Sequence, residues 1–195
     1  MAAERREAEQ RKARERELQL AEARRQQALE DARDRERVRM VWRRWTRRAL
    51  TPPDVEKTSK DVVRIAFRLP GDRQSRRQFP STATLTSLYA FVDAQLIPAD
   101  LSPEGDPLTP PGRAASNDSL HTLDEHITTQ SQSADDWWGF KLVFAYPREE
   151  IRWQAGRRLS DMSVLKGGGQ IMVEMVEPLG RSADFSDEDD SDDDS

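Results

Sequence analysis

The sequence predicts an α+β fold: one amphipathic helix on one mixed sheet, preceded by a long charged helix and followed by a disordered acidic tail. Three observations carry this reading. Hydrophobic residues make up 35% and charged residues 34% of the 195 positions. Globular chains run about 45–50% and about 25%, so one small domain with polar extensions is expected rather than one core throughout. Charge is segregated, with 16 Lys+Arg against 10 Asp+Glu in residues 1–50 and eight acids with no base in residues 184–195. Such blocks mark separate physical units. Between Val62 and Glu177, finally, apolar periods of two and of 3.6 residues alternate in the order strand, strand, helix, strand, strand, short helix, strand.

Several classes fall away at once. The chain has no cysteine, which excludes disulfides, thiolate metal sites and cysteine nucleophiles. No run approaches the ~18 apolar residues of a membrane span. The N-terminus lacks the apolar stretch of a secretory signal, so a cytoplasmic or nuclear setting is expected.

Residues 1–50 contain no Pro or Gly and are dominated by Ala, Glu, Arg, Gln and Leu, all good helix formers. Glu7–Arg11 and Asp31–Arg35 stand at i,i+4, and Glu9–Lys12, Glu22–Arg25, Glu30–Arg33 and Asp34–Arg37 at i,i+3. Each pair adds about 0.2–0.5 kcal/mol along a solvated rod. Leu18, Ala21, Ala28 and Ala32 sketch a weak coiled-coil seam, which allows self-association. The stripe strengthens at Val38, Val41, Trp42 and Trp45, and Pro52-Pro53 stops the helix. A linker over 51–61 follows.

In the core-bearing segment, Val63, Ile65, Phe67 and Leu69 alternate with polar or small residues and read as a strand. Leu69-Pro70-Gly71-Asp72 is turn chemistry, after which 73–79 pairs back as a second, more exposed strand. Thr82 or Thr84 caps a helix whose Leu85, Leu88, Tyr89, Val92 and Leu96 share one face. Residues 98–138, rich in Pro, Ser, Asp and Thr, read as a long disordered insertion. Phe140, Leu142 and Phe144 make a third strand running into the Tyr146-Pro147-Arg148 turn. Ile151 and Trp153 suggest a fourth. Leu159, Met162 and Leu165 form a short helical turn capped by Ser160, and a triple glycine leads into a last strand of Ile171, Val173 and Val176.

Taken together, Ile65-Ala66-Phe67-Arg68-Leu69-Pro70-Gly71, Arg77-Gln78-Phe79, Thr84-Leu85, Phe140-Lys141-Leu142, Tyr146-Pro147-Arg148, Leu159-Ser160-Asp161 and Ile171-Met172-Val173 resemble a UBX domain over 62–177. The resemblance implies a ubiquitin-like β-grasp fold. The charged helix ended by prolines is similar to the Fas-associated-factor group of UBX proteins, which serve ubiquitin-dependent and endoplasmic-reticulum-associated degradation. That group implies a setting in the cytoplasm, peripheral at the endoplasmic reticulum. The family's members dock on the N-terminal domain of an AAA+ unfoldase, valosin-containing protein. Their signature, an Arg on the first strand and a Phe-Pro-Arg turn, maps to Arg68, Tyr146, Pro147 and Arg148, with Tyr146 replacing the family Phe. A turn proline can hold a cis peptide and project the ring into an apolar cleft, with guanidinium groups beside it for carboxylates or carbonyls. Ubiquitin-binding, membrane-hairpin and thioredoxin-like modules of the wider family are not among these 195 residues, so contact with ubiquitinated cargo is expected only indirectly.

The sequence predicts no enzyme and no cofactor. His121 and His126 lack zinc-protease spacing and a third ligand, and Lys166-Gly167-Gly168-Gly169 lacks the order of a phosphate loop. The acidic tail, 178–195, places Ser186 before Asp187-Glu188-Asp189 and Ser191 before Asp192-Asp193-Asp194, the context of acid-directed kinases such as casein kinase two. The rival reading is a nucleic-acid- or membrane-surface-binding helical protein with a passenger β-grasp domain. Acids interleaved with the N-terminal bases weigh against a phosphate-binding stripe, whereas two Trp and five Arg within Val38–Leu50 favour a peripheral membrane contact.

Overall fold

The computed structural model describes residues 2–51, 61–113, 118–130 and 133–176. The expected linker over 51–61 and tail over 178–195 lie almost wholly outside the described residues, as do Ser186 and Ser191. Two compact units emerge, one drawn from Met1–Pro52 and Asp93–Asn117, the other from Pro53–Val92 and Asp118–Ser195.

In the first unit, α1 (Ala2–Leu50) is one uninterrupted helix, as a stretch without Pro or Gly dictates. Leu18, Leu20 and Leu29 stand exposed, while Trp42, Trp45 and Thr46 are buried. The two indoles meet edge to face with centroids 5.4 Å apart. Asp34 and Arg37 form the expected i,i+3 pair. The last turns of α1 hold the segment that follows Asp93. Arg43 Nε donates to Asp93 Oδ1 at 2.6 Å. Arg47 grips Asp106 with Nε on Oδ2 at 2.7 Å and Nη2 on Oδ1 at 2.6 Å, and Arg44 Nε adds a bond to Oδ1 at 3.0 Å. Arg47 also reaches the Leu101 carbonyl and Arg48 the Asp106 carbonyl. Bidentate guanidinium contacts of this kind are strong because they are charge-assisted and planar. Burial pushes the Asp106 carboxyl up, but hydrogen bonds and charge from Arg47 and Arg44 outweigh it and hold the group below the ordinary carboxylate range.

The second unit is a five-stranded sheet in the order β2-β1-β5-β3-β4. Its strands are β1 (Val62–Arg68), β2 (Gln74–Pro80), β3 (Phe140–Phe144), β4 (Glu149–Ile151) and β5 (Gly169–Met175). β1 runs antiparallel to β2 and parallel to β5, and β3 is antiparallel to both β5 and β4. This arrangement is the ubiquitin-like β-grasp fold. The helix α2 (Leu85–Gln95) starts with Ser87 N–H donating to Thr84 Oγ1 at 3.3 Å, so Thr84 is the cap. Leu85, Leu88, Tyr89 and Val92 are essentially inaccessible, as are Ile65, Phe67, Phe140, Leu142, Ile151 and Ile171. The Tyr89 hydroxyl donates to the Ile151 carbonyl at 2.5 Å, and burial pushes this phenol well above its usual range.

Two expectations are corrected. The described residues of 98–138 are not a disordered insertion: a 3₁₀ turn spans Pro103–Gly105, α3 spans Ser119–Gln130 and α4 spans Ala134–Trp138. α3 starts on Asp118, whose carboxylate accepts from His121 N–H at 2.9 Å, and it buries Leu123 and Ile127. Its Asp124 accepts from Thr86 Oγ1 at 2.5 Å and from Gly156 N–H at 3.1 Å. α4 is capped by Ser133 and ended by Gly139 in the left-handed region, which brings Trp138 onto Tyr89 and Phe140. Nor does Ser160 cap a turn. It sits inside the 3₁₀ turn Leu159–Asp161, entered through Arg158, and its N–H bonds the Ser81 carbonyl.

Gly168 and Gly169 admit β5 to its slot. A Cβ on Gly168, at φ +74°, would lie 2.2 Å from the Arg64 carbonyl oxygen, and one on Gly169 would strike the Phe144 ring at 2.4 Å. Gly167 has open space around it. Gly168→Ala is therefore expected to lower stability by about 2 kcal/mol or more and Gly167→Ala by under about 0.5 kcal/mol, read by chemical denaturation. Asp106 gives a pH signature. Its ionised form is favoured in the fold, so its contribution is complete above the unfolded value of 3.8 and is lost as pH falls through the lower folded value. As pH falls below about 4 the chain should lose stability that Asp106→Asn does not lose.

Candidate functional site

A side-chain period of two fixes what the sheet shows to solvent. The row Phe67–Ile171–Phe144 lies on the helix-facing side, so the neighbouring row Arg68–Met172–Val143–Glu150 lies on the outer one. With strands about 4.8 Å apart, the Arg68 and Val143 backbones are roughly 10 Å from each other.

The candidate partner-binding residues gather around this row. Arg68, the last residue of β1, is exposed and pairs through Nη2 with Asp72 Oδ1 at 3.0 Å. Asp72 and Gly71 both take positive φ in the hairpin turn. Phe144 opposite Glu149 leaves Ala145–Arg148 as the connection between β3 and β4. It stays tied to β5, because Ala145 N–H donates to the Gln170 carbonyl at 2.9 Å. The Tyr146–Pro147 peptide is cis. Tyr146 is 90% exposed, so among the described residues nothing covers its ring. Arg148 leans across the outer face and places Nη2 2.7 Å from Glu174 Oε1. Arg68 and Arg148 thus share one face of the sheet, and the exposed tyrosine stands two residues before Arg148.

The sequence placed Asp72 only in the turn and did not single out Glu174, although these two acids hold the two guanidinium groups. Asp72 stands four residues after Arg68 across a Pro-Gly turn, and Glu174 falls in step with Met172 on the last strand, so both were in principle legible. These exposed pairs orient the arginines without strongly retaining them, since surface salt bridges contribute about 0–1 kcal/mol. An incoming carboxylate or carbonyl can displace either acid at low cost. The exposed Tyr146 ring offers apolar area with a hydroxyl already in water.

The histidines are elsewhere. His121 and His126 both lie on α3, and the His126 ring meets Trp137 edge to face at 4.7 Å. Among the described residues no group of three His, Cys, Asp or Glu side chains could hold a metal, and no helix is long and apolar enough to cross a membrane.

The sheet order and the helix packed on it define the ubiquitin-like β-grasp class of fold. The family model of the UBX domain matches residues 57–102, so the chain carries a UBX domain. The matched segment takes in β1, β2 and α2, Arg68 included, and stops before the Tyr146 turn. UBX domains are non-catalytic interaction modules. The solution structure of the UBX domain of D0H8S2298E protein is similar at 18% identity with a TM-score of 0.40, over 67% of this chain and 84% of that one. No curated protein matches the chain.

The exposed pairs give a direct check. Glu174→Gln should leave the unfolding free energy within about 0.5 kcal/mol of the parent, as measured by urea denaturation. A larger loss would make the Arg148–Glu174 pair structural.

Proposed function

We propose that the chain is a non-catalytic adaptor that binds the N-terminal domain of the AAA+ unfoldase valosin-containing protein, acting in ubiquitin-dependent, endoplasmic-reticulum-associated degradation. Tyr146, Pro147, Arg148 and Arg68 make the contact. The observation that carries the reading is Tyr146 itself: a large ring, 90% exposed, on a turn whose Arg148 shares a sheet face with Arg68. Folding gains nothing from an aromatic left in water, whereas a cleft on a partner gains its buried area. In the complex the ring enters that cleft with its hydroxyl at the rim, and the two guanidinium groups take carbonyl or carboxylate partners. α1 serves as a spacer with a weak self-association seam, and cargo is met indirectly.

Tyr146→Ala with Arg148→Ala removes two anchors, each worth about 2–4 kcal/mol where it sits at a hot spot. Even ~4 kcal/mol in total weakens a micromolar complex about a thousandfold. Calorimetric titration against the isolated unfoldase N-terminal domain should show binding by the parent and none by the double variant. Because Tyr146 is exposed, the variant's circular dichroism and unfolding midpoint should match the parent's. Equal affinity of the two proteins would dismiss the assignment.

A further inference from the structure

The outer face of the sheet is divided by charge. In the β1–β2 register Arg64 stands opposite Gln78 and Ala66 opposite Arg76, which puts all four on the outer side with Arg68. Arg64 and Arg76 are exposed. They are diagonal neighbours, roughly 7–8 Å apart at the backbone, and among the described residues neither is paired with a carboxylate. A groove of about 350 Å³ opens here over the small Ala66, with Arg64, Arg76 and Gln78 among the residues lining it. The Gln78 Oε1 atom is buried without a hydrogen-bond partner. Over β5, β3 and β4 the same face carries Glu174 and Glu150 alongside Lys141. Positive charge is thus concentrated on β1 and the edge strand β2, where Arg64 and Arg76 lie diagonally with no counter-ion among the described residues.

We infer that this arginine groove is the docking surface of the chain's own acidic segment, residues 184–195. The first argument is charge: that segment has eight acids and no base, and Arg64 and Arg76 have no carboxylate partner among the described residues. Reach is the second. Gln170, which stands beside Ala66, is five residues before Met175, so the groove lies roughly 20 Å from the end of β5 once the step across to β2 is included. From Met175 to Asp184 the extended chain covers about 30 Å. Tethering also gives the segment a local concentration in the millimolar range, so a few exposed charge pairs suffice. α1 is the weaker competitor because its bases are interleaved with ten acids. Phosphates on Ser186 and Ser191 would each add about −1.5 to −2 charge and tighten the contact. A docked segment also covers Arg68, which stands beside Gln74 on the same face. That consequence for partner binding rests on the adaptor reading, while the docking itself does not.

The test uses the full chain without any partner. Amide ¹H–¹⁵N spectra of the parent are compared with those of a variant carrying Asp187→Asn, Glu188→Gln, Asp189→Asn, Asp192→Asn, Asp193→Asn and Asp194→Asn. Shifts are expected across residues 64–68 and 74–78. The same amides should move in the parent when salt is raised to about 1 M, where the Debye length falls to about 3 Å. Arg64→Gln with Arg76→Gln should abolish the response to the tail variant while leaving the core amides in place. Unmoved β1 and β2 amides, or a response confined to the α1 arginines, would overturn the proposal. A response that disappears on dilution would assign the acids to a second copy and overturn the intramolecular form.

Discussion

Seating β5 in parallel beside β1 is the constraint on which the second unit depends. The slot exists because Gly168 and Gly169 let the backbone approach the Arg64 carbonyl and the Phe144 ring more closely than any Cβ permits. Once β5 is in place, its register decides both faces together: Phe67, Ile171 and Phe144 go inward, and Arg68, Met172 and Val143 outward. A slip of β5 by one residue would turn Ile171 and Val173 outward and Met172 and Glu174 inward, which removes apolar side chains from the core and the acid from beside Arg148. Core energetics therefore position the candidate site, although the site side chains add little to stability themselves.

Arginine does three different jobs here, separated by burial. Arg47 is locked on a buried carboxylate in two bonds, where loss of either partner would strand a charge. Arg77, on the inner side of β2, lies over the Phe91 ring at 4.6 Å and works as an apolar plate as much as a cation. Arg68 and Arg148 remain in water beside acids they can exchange. The same side chain is structural in the first two settings and available to a partner in the third, so arginine content alone does not indicate a binding surface.

The strands and α2 were legible because each carries an unbroken apolar period between turn signals, as in Val63–Leu69 and Leu85–Leu96. The 98–138 segment was not. Leu123 and Ile127 supply a correct helical spacing, and Asp118 a correct cap, but Thr, Asp and His around them lower the mean hydropathy to that of a loop. The three-dimensional reason for order is outside the segment: Asp106 depends on Arg44 and Arg47, more than fifty residues earlier, and Asp124 on Thr86 and Gly156. Long-range polar contacts of this kind leave no local period to detect. At the candidate site the motif residues could be named from sequence, whereas the acids holding them and the groove at Arg64 and Arg76 required the register.

The two tyrosines of the chain show how stability and recognition are kept apart. Tyr89 buries its ring against Phe140 with its hydroxyl satisfied by the Ile151 carbonyl; removing that acceptor would leave a buried donor costing about 1–3 kcal/mol. Tyr146 has no such obligation, because ring and hydroxyl both remain in solvent. A tyrosine where the resembling family has phenylalanine therefore costs nothing in the free protein. Its cost arises only in a complex, and only if the cleft closes over the hydroxyl without offering an acceptor. On the proposed adaptor reading, the choice at this position acts on partner selection rather than on folding, because an exposed side chain can vary without loss of the domain.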